Sequence, residues 1–164
     1  MGRRYSPSSY DDYMCLKPPL LLWLAVIYLS RAVTLPIVLG IGSLGGGGWD
    51  IRAFAGAFLN FDTLAPSLIA ALVLCAMVRR VPSGSRLLRR VWAHGRVLLV
   101  AAALLDFGLA LLSWTLHGTD VDHSGEATLL AAGLDLYFAA YVLTTRRVRD
   151  VFAEFPLEAG PAGK

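Results

Sequence analysis

Residues 96–116 read RVLLVAAALLDFGLALLSWTL, an apolar run in which Arg96 and Asp106 carry the only charges. A helix needs about 20 apolar residues to cross the roughly 30 Å hydrocarbon core of a bilayer, so this run is long enough to span one. Three further apolar runs predict spans at about residues 20–44, 59–78 and 127–145. The sequence therefore predicts an all-α, polytopic membrane protein with four transmembrane helices.

The composition agrees with this class. The 164 residues are 56% hydrophobic and 16% charged, whereas soluble proteins average about 25% charged residues. The net charge is +3, but the basic residues lie at the ends of the apolar runs, where they orient helices in membranes. No aromatic and basic module accompanies them, so we expect no nucleic-acid partner. Cys15 and Cys75 lie in different environments and predict no disulfide.

The basic residues also predict the topology. Thirteen Lys and Arg residues fall in the N-terminal tail, in the second loop together with Arg96, and in the stretch from Arg146 to Lys164, whereas the outer loops contain only Arg52. Positive loops stay inside, so both termini are predicted to be cytoplasmic. The chain then divides into a cytoplasmic tail (1–19), a transmembrane domain (20–147) and a cytoplasmic amphipathic segment (148–164). We expect the apolar stripe of that last segment to lie on the inner membrane surface; it comprises Val148, Val151, Phe152 and Phe155.

The first predicted span contains Pro36. Proline lacks the N–H that would bond the carbonyl of the residue four positions earlier, and its ring clashes with that carbonyl. We therefore expect a kink near Ala32 and Val33.

Three ionisable residues, Arg31, Asp106 and Asp135, fall at a similar depth well inside the predicted spans. Each charge costs about 2.5–3.5 kcal/mol at the bilayer centre, which favours pairing. Small residues surround both acids at helical spacing and permit close helix packing. We expect Arg31 to lie between the two carboxylates as a structural bridge. A proton or ion pathway is the alternative.

Other polar residues give weaker signals. His117, Asp120, Asp122 and His123 are metal-type ligands in an outer loop, but they lack the spacing of a known site, so we expect a solvated loop and no metal. Catalysis would need a nucleophile and a base converging on a cleft, and Ser113 lies too far along its helix from Asp106. We expect no cofactor and no enzyme activity.

Two stretches carry a family resemblance. The first contains YDDY at 10–13, LKPPLLLWL at 16–24 and YLSR at 28–31, and the second contains LDLY at 134–137 and RRVRDVFAEFP at 146–156. Both resemble the YfeZ-like family of bacterial inner-membrane proteins (domain of unknown function 2919). The resemblance implies a multi-pass protein of the bacterial cytoplasmic membrane and implies no activity.

The sequence thus favours a non-catalytic accessory or assembly component. Its expected partners are the lipid bilayer and other membrane proteins or further copies of itself. The alternative is a small oligomeric transporter or proton-coupled carrier that uses Arg31, Asp106 and Asp135.

Overall fold

The structure, a computed structural model, describes residues 5–11, 13–44, 61–80, 85–117 and 124–156. Within these ranges the chain forms seven α-helices and no strand. The helices are α1 (Leu20–Leu29), α2 (Arg31–Leu44), α3 (Phe61–Val78), α4 (Arg86–Ala93), α5 (Gly95–His117), α6 (Ser124–Thr144) and α7 (Arg146–Ala153). A 3-10 turn, Pro7–Ser9, precedes them. The predicted all-α class is confirmed.

One helix in the described ranges is long and apolar enough to cross a membrane, namely α5 over Gly95–Leu116. A second span results if α1 and α2 are counted as one bent span. The apolar parts of α3 and α6, Thr63–Val78 and Leu129–Thr144, are shorter. By length and composition the described helices therefore provide one or two candidate spans.

The first predicted span is not one kinked helix, and the expected position of the kink is wrong. It breaks at Ser30, where the axes of α1 and α2 differ by 86°, and Pro36 lies inside α2. Polar side chains explain the position. The Ser30 hydroxyl donates to the Ile27 carbonyl at 3.2 Å, and the Thr34 hydroxyl donates to the Ser30 carbonyl at 3.1 Å. The first of these bonds gives the Ile27 carbonyl a partner at the break, whereas the Ser30 carbonyl also accepts from the N–H groups of Val33 and Thr34, both at 2.9 Å.

Helix α5 lies at the centre and packs against α3 and α6, while α1 packs against α3. Small side chains fill the contacts between these helices, because eight alanines are buried there. Leucine is distributed the other way: fifteen leucines are exposed and four are buried among the described residues. Alanine is thus concentrated inside the bundle beside larger side chains such as Leu29, Val73 and Phe138, whereas most leucines face outward.

At one end of the bundle the N-terminal segment, α4 and α7 form a compact layer that we call the cap. Its core contains Leu16, Trp92, Val148, Val151 and Phe152, all at most 5% exposed. The Trp92 and Phe152 rings pack with their centroids 4.7 Å apart. The stripe that was expected to lie on the membrane surface is therefore buried against the protein's own chain.

Candidate functional site

An ion pair joins α2 to α5. Arg31, the first residue of α2, places Nη2 2.7 Å from Oδ2 of Asp106, which lies in the middle of α5. The side chain of Asp106 is 5% exposed and that of Arg31 is 20% exposed. A charge-assisted bond of this length between largely buried groups is strong and directional. It ties the break in the first helix to the central helix.

The helix break itself supplies further contacts to Arg31. Its Nη1 donates to the Tyr28 carbonyl at 3.3 Å, and its guanidinium carbon lies 4.5 Å from the centroid of the Tyr28 ring. The Tyr28 hydroxyl donates to the Ala131 carbonyl on α6 at 3.1 Å. The Ala32 N–H is satisfied by the hydroxyl of Ser67 on α3 at 3.4 Å. Groups from α1, α3, α5 and α6 therefore meet at the break, which links the discontinuous helix to the rest of the bundle.

Asp135 lies in the same region but is not paired with Arg31. It is 1% exposed, and its Oδ1 has no hydrogen-bond partner. It lies close enough to interact electrostatically with both Arg31 and Asp106, yet no ion pair involving it occurs in the part of the chain that the structure describes. Of the two contacts expected for Arg31, the structure contains the one with Asp106. Asp135 is a buried acid beside that pair, with one oxygen unsatisfied.

The cap contains a buried cation that sequence reasoning missed. Arg80 is 8% exposed; its Nη1 donates to the Leu16 carbonyl at 2.9 Å and its Nη2 to the Glu154 carbonyl at 3.0 Å. Its guanidinium carbon lies 4.9 Å from the centroid of the Trp92 ring. Arg80 thus fastens the N-terminal segment and the residues after α7 to the end of α3. In the sequence it is one of several loop arginines, and nothing distinguishes it from Arg79.

Glu154 completes the same junction. Its carboxylate accepts a hydrogen bond from the Leu16 N–H at 2.7 Å, and its carbonyl accepts one from Trp92 Nε1 at 2.9 Å. Cys15 is buried beside this junction. Burial raises the pKa of its thiol, while the nearby Arg80 acts in the opposite direction. Cys15 is therefore a buried, protonated thiol at neutral pH.

The candidate metal ligands cannot be placed together. Asp120, Asp122 and His123 lie outside the described residues, and for His117 the structure describes the helical backbone alone. Among the residues whose side chains are described, no group of three or more His, Cys, Asp or Glu could hold a metal ion.

Comparison with known proteins places the chain in a family. The model of the family described as "Protein of unknown function (DUF2919)" matches residues 59–154, which include Asp106, Asp135 and Arg80. The matched range contains most of the second stretch of resemblance (134–137 and 146–156) and none of the first (10–31), so Arg31 lies outside the match. No curated protein and no solved structure matches the chain. Because the family model covers more than half of the sequence, the chain belongs to the DUF2919 family of proteins of unknown function.

Proposed function

We propose that the protein is a multi-pass component of the bacterial cytoplasmic membrane, related to the YfeZ-like proteins. It has four spans, cytoplasmic termini and a non-catalytic accessory or assembly role. The four spans are the bent pair α1–α2 and the helices α3, α5 and α6. The cap lies on the cytoplasmic side.

The distribution of leucine carries this proposal. Water-soluble proteins rarely expose contiguous apolar patches beyond a few hundred Å². Here exposed leucines occur on α1, α3, α5 and α6, with examples at Leu24, Leu72, Leu111 and Leu136. Lipid tails are as apolar as leucine, so in a bilayer these side chains need no protein partner, while small interior residues let the helices approach closely. The same surface in water would drive aggregation.

The first experiment is membrane extraction. Membranes that contain the full-length protein are washed with alkaline carbonate and then treated with a mild detergent. An integral protein stays in the pellet until detergent is added. Release by carbonate alone would show that the apolar surface is not embedded in lipid and would refute the membrane proposal.

The accessory role is supported by two exposed glycines, one on α5 and one on α6. A methyl group added at Gly108 on α5, or at Gly133 on α6, would meet no atom of the chain within 4 Å. Glycine at a span surface lets a second helix approach its backbone closely. We therefore place the partner, another membrane protein or a second copy, against the faces that carry these glycines.

Site-specific photocrosslinking tests this assignment in native membranes. A photoreactive residue is introduced at the exposed positions Leu111 and Leu130, and at the buried position Leu99 as the matched control. We expect discrete protein adducts, identified by mass spectrometry, at the two exposed positions and none at Leu99. Lipid adducts alone at Leu111 and Leu130 would refute a partner on this surface.

A second candidate function, a proton-coupled carrier, is favoured by one observation. A helix broken inside its apolar run, with buried charges at the break, is a feature that transporters share, and Asp135 keeps an unsatisfied oxygen there. The test is proton flux in proteoliposomes under an imposed membrane potential. A carrier requires flux that Asp135→Asn and Asp106→Asn abolish. Flux equal to that of empty liposomes removes this candidate.

A further inference from the structure

We propose that the groove along α5 that begins at Arg96 binds one anionic phospholipid of the cytoplasmic leaflet. The inference rests on the proposed membrane location and goes beyond it, because it assigns a specific site to one class of lipid.

The shape of the groove fits an acyl chain. Its volume is about 340 Å³, and its lining contains one cation and five apolar residues, namely Arg96, Val97, Val100, Ala101, Leu104 and Leu143. The α5 positions follow one helix face, and at about 1.5 Å per residue they extend about 12 Å from Arg96 to Leu104. One leaflet of the hydrocarbon core is about 15 Å thick, half of the total. The groove therefore matches most of the depth of a single acyl chain.

Charge determines which lipid fits. Arg96 is held at the mouth of the groove because its Nε donates to the Val142 carbonyl at 3.0 Å and its Nη2 donates to the Leu143 carbonyl. These are among the last carbonyls of α6, which have no partner within the helix. The third nitrogen, Nη1, makes no hydrogen bond or ion pair with any described residue. A guanidinium fixed at two nitrogens and free at the third is suited to a phosphate oxygen.

The location also favours an anionic lipid. Arg146, three residues beyond Leu143, is exposed at the same end of α6. Basic pockets between spanning helices on the cytoplasmic side bind anionic headgroups, and each Arg near the surface contributes about 1 kcal/mol. The apolar lining along α5 and the Arg96 guanidinium at its mouth are the two halves of a phospholipid site.

Native mass spectrometry of the full-length protein in detergent tests the assignment. Phosphatidylglycerol and phosphatidylcholine with identical acyl chains are titrated separately, and soluble glycerophosphate serves as a headgroup without a chain. We expect tighter binding of phosphatidylglycerol, no competition from glycerophosphate, and about a fivefold loss of phosphatidylglycerol affinity in Arg96→Gln. Arg86→Gln, which removes an exposed arginine outside the groove, is the matched control and should bind like the unmodified protein.

Ala101→Trp tests the apolar groove independently of the Arg96 charge, and it remains informative if Arg96→Gln does not fold. Ala101 is an exposed residue of the lining, so an indole there should fill the groove and weaken binding of both lipids. Equal affinity for the two lipids, equal behaviour of Arg96→Gln and Arg86→Gln, or unchanged binding in Ala101→Trp would overturn the site. Full competition by glycerophosphate would show a phosphate site without a chain groove. Carbonate extraction remains the separate test of membrane location.

Discussion

Replacing Arg31 by leucine should destabilise the protein more than any neutralisation of a nearby acid. The substitution removes the cation from Asp106, whose side chain is 5% exposed, and leaves that carboxylate without its 2.7 Å partner. Removing one member of a buried ion pair typically costs about 3–5 kcal/mol, because the other charge stays buried and uncompensated. For a chain of this size a stability loss of 1 kcal/mol lowers the melting temperature by about 2–4 °C, so we expect the melting temperature of Arg31→Leu to fall by about 6–20 °C.

The acids should behave differently from one another. Asp106→Asn keeps the shape and leaves Arg31 its bond to the Tyr28 carbonyl and its contact with the Tyr28 ring, so the loss should be smaller, about 1–3 kcal/mol. Asp135→Asn removes a buried carboxylate that has an unsatisfied oxygen, so it should be neutral or stabilising. A symmetric bridge of Arg31 with both acids would instead make the two Asp variants equally harmful.

The assay is intrinsic-fluorescence thermal unfolding of detergent-purified variants. Arg31→Leu combined with Asp106→Leu is the control, because replacing both members of a buried pair by apolar groups is often neutral. The double variant should recover most of the stability lost in Arg31→Leu. The assigned pair is wrong if the melting temperature of Arg31→Leu lies within about 2 °C of that of the unmodified protein, a shift of about 1 kcal/mol or less. It is also wrong if the stability lost in the double variant equals the sum of the losses in the two single variants.

Three further outcomes test the cap. Gly95→Ala should lower stability by about 1–3 kcal/mol, because the added Cβ would lie 2.9 Å from Phe152 Cδ1 and closer still to Cε1. Combining it with Phe152→Leu should restore the melting temperature. Arg80→Met should expose the N-terminal segment to limited proteolysis, whereas Arg79→Met should not, since Arg80 holds the Leu16 and Glu154 carbonyls. Maleimide should modify Cys15 slowly at neutral pH and faster as the pH is raised, because burial raises the pKa of its thiol; fast labelling at pH 7 would contradict its burial.

The sequence indicated where the apolar helices lie, because long apolar runs bounded by charges have few alternative structures. The runs 20–44, 59–78, 96–116 and 127–145 overlap α1–α2, α3, α5 and α6, of which α5 and the bent pair α1–α2 are candidate spans by length and composition. The position of the break in the first span was not predictable from Pro36. It depends on Ser30 and Ser67, whose hydroxyls bond the Ile27 carbonyl and the Ala32 N–H at the break; the first bond is local and the second comes from another helix.

The charged site was predictable in part. The cost of a lone charge in lipid indicated that Arg31 needs an acid, and Asp106 fills that role. The depths of Asp106 and Asp135 are similar, so sequence position alone could not distinguish which acid is paired. The difference arises from which faces of α5 and α6 are turned towards the break between α1 and α2.

The cap could not be predicted because it depends on contacts between distant segments. Amphipathic helices have the same pattern whether the apolar face contacts lipid or protein, and the apolar face of α7 was assigned to the membrane. Its residues instead meet Trp92 of α4 and Leu16 of the N-terminal segment. Arg80 and Glu154 join the same segments through backbone carbonyls, which leave no trace in side-chain patterns.

Cysteine labelling in intact cells tests the multi-pass topology most directly. In a background with Cys15→Ala and Cys75→Ala, single cysteines are placed at Ser124, the first residue of α6, and at Arg86, the first residue of α4. A membrane-impermeant maleimide added from outside should label Ser124→Cys, and it should label Arg86→Cys only after the cytoplasmic membrane is permeabilised. Labelling of Arg86→Cys in intact cells with protection of Ser124→Cys, or equal labelling of both, would contradict four spans with cytoplasmic termini.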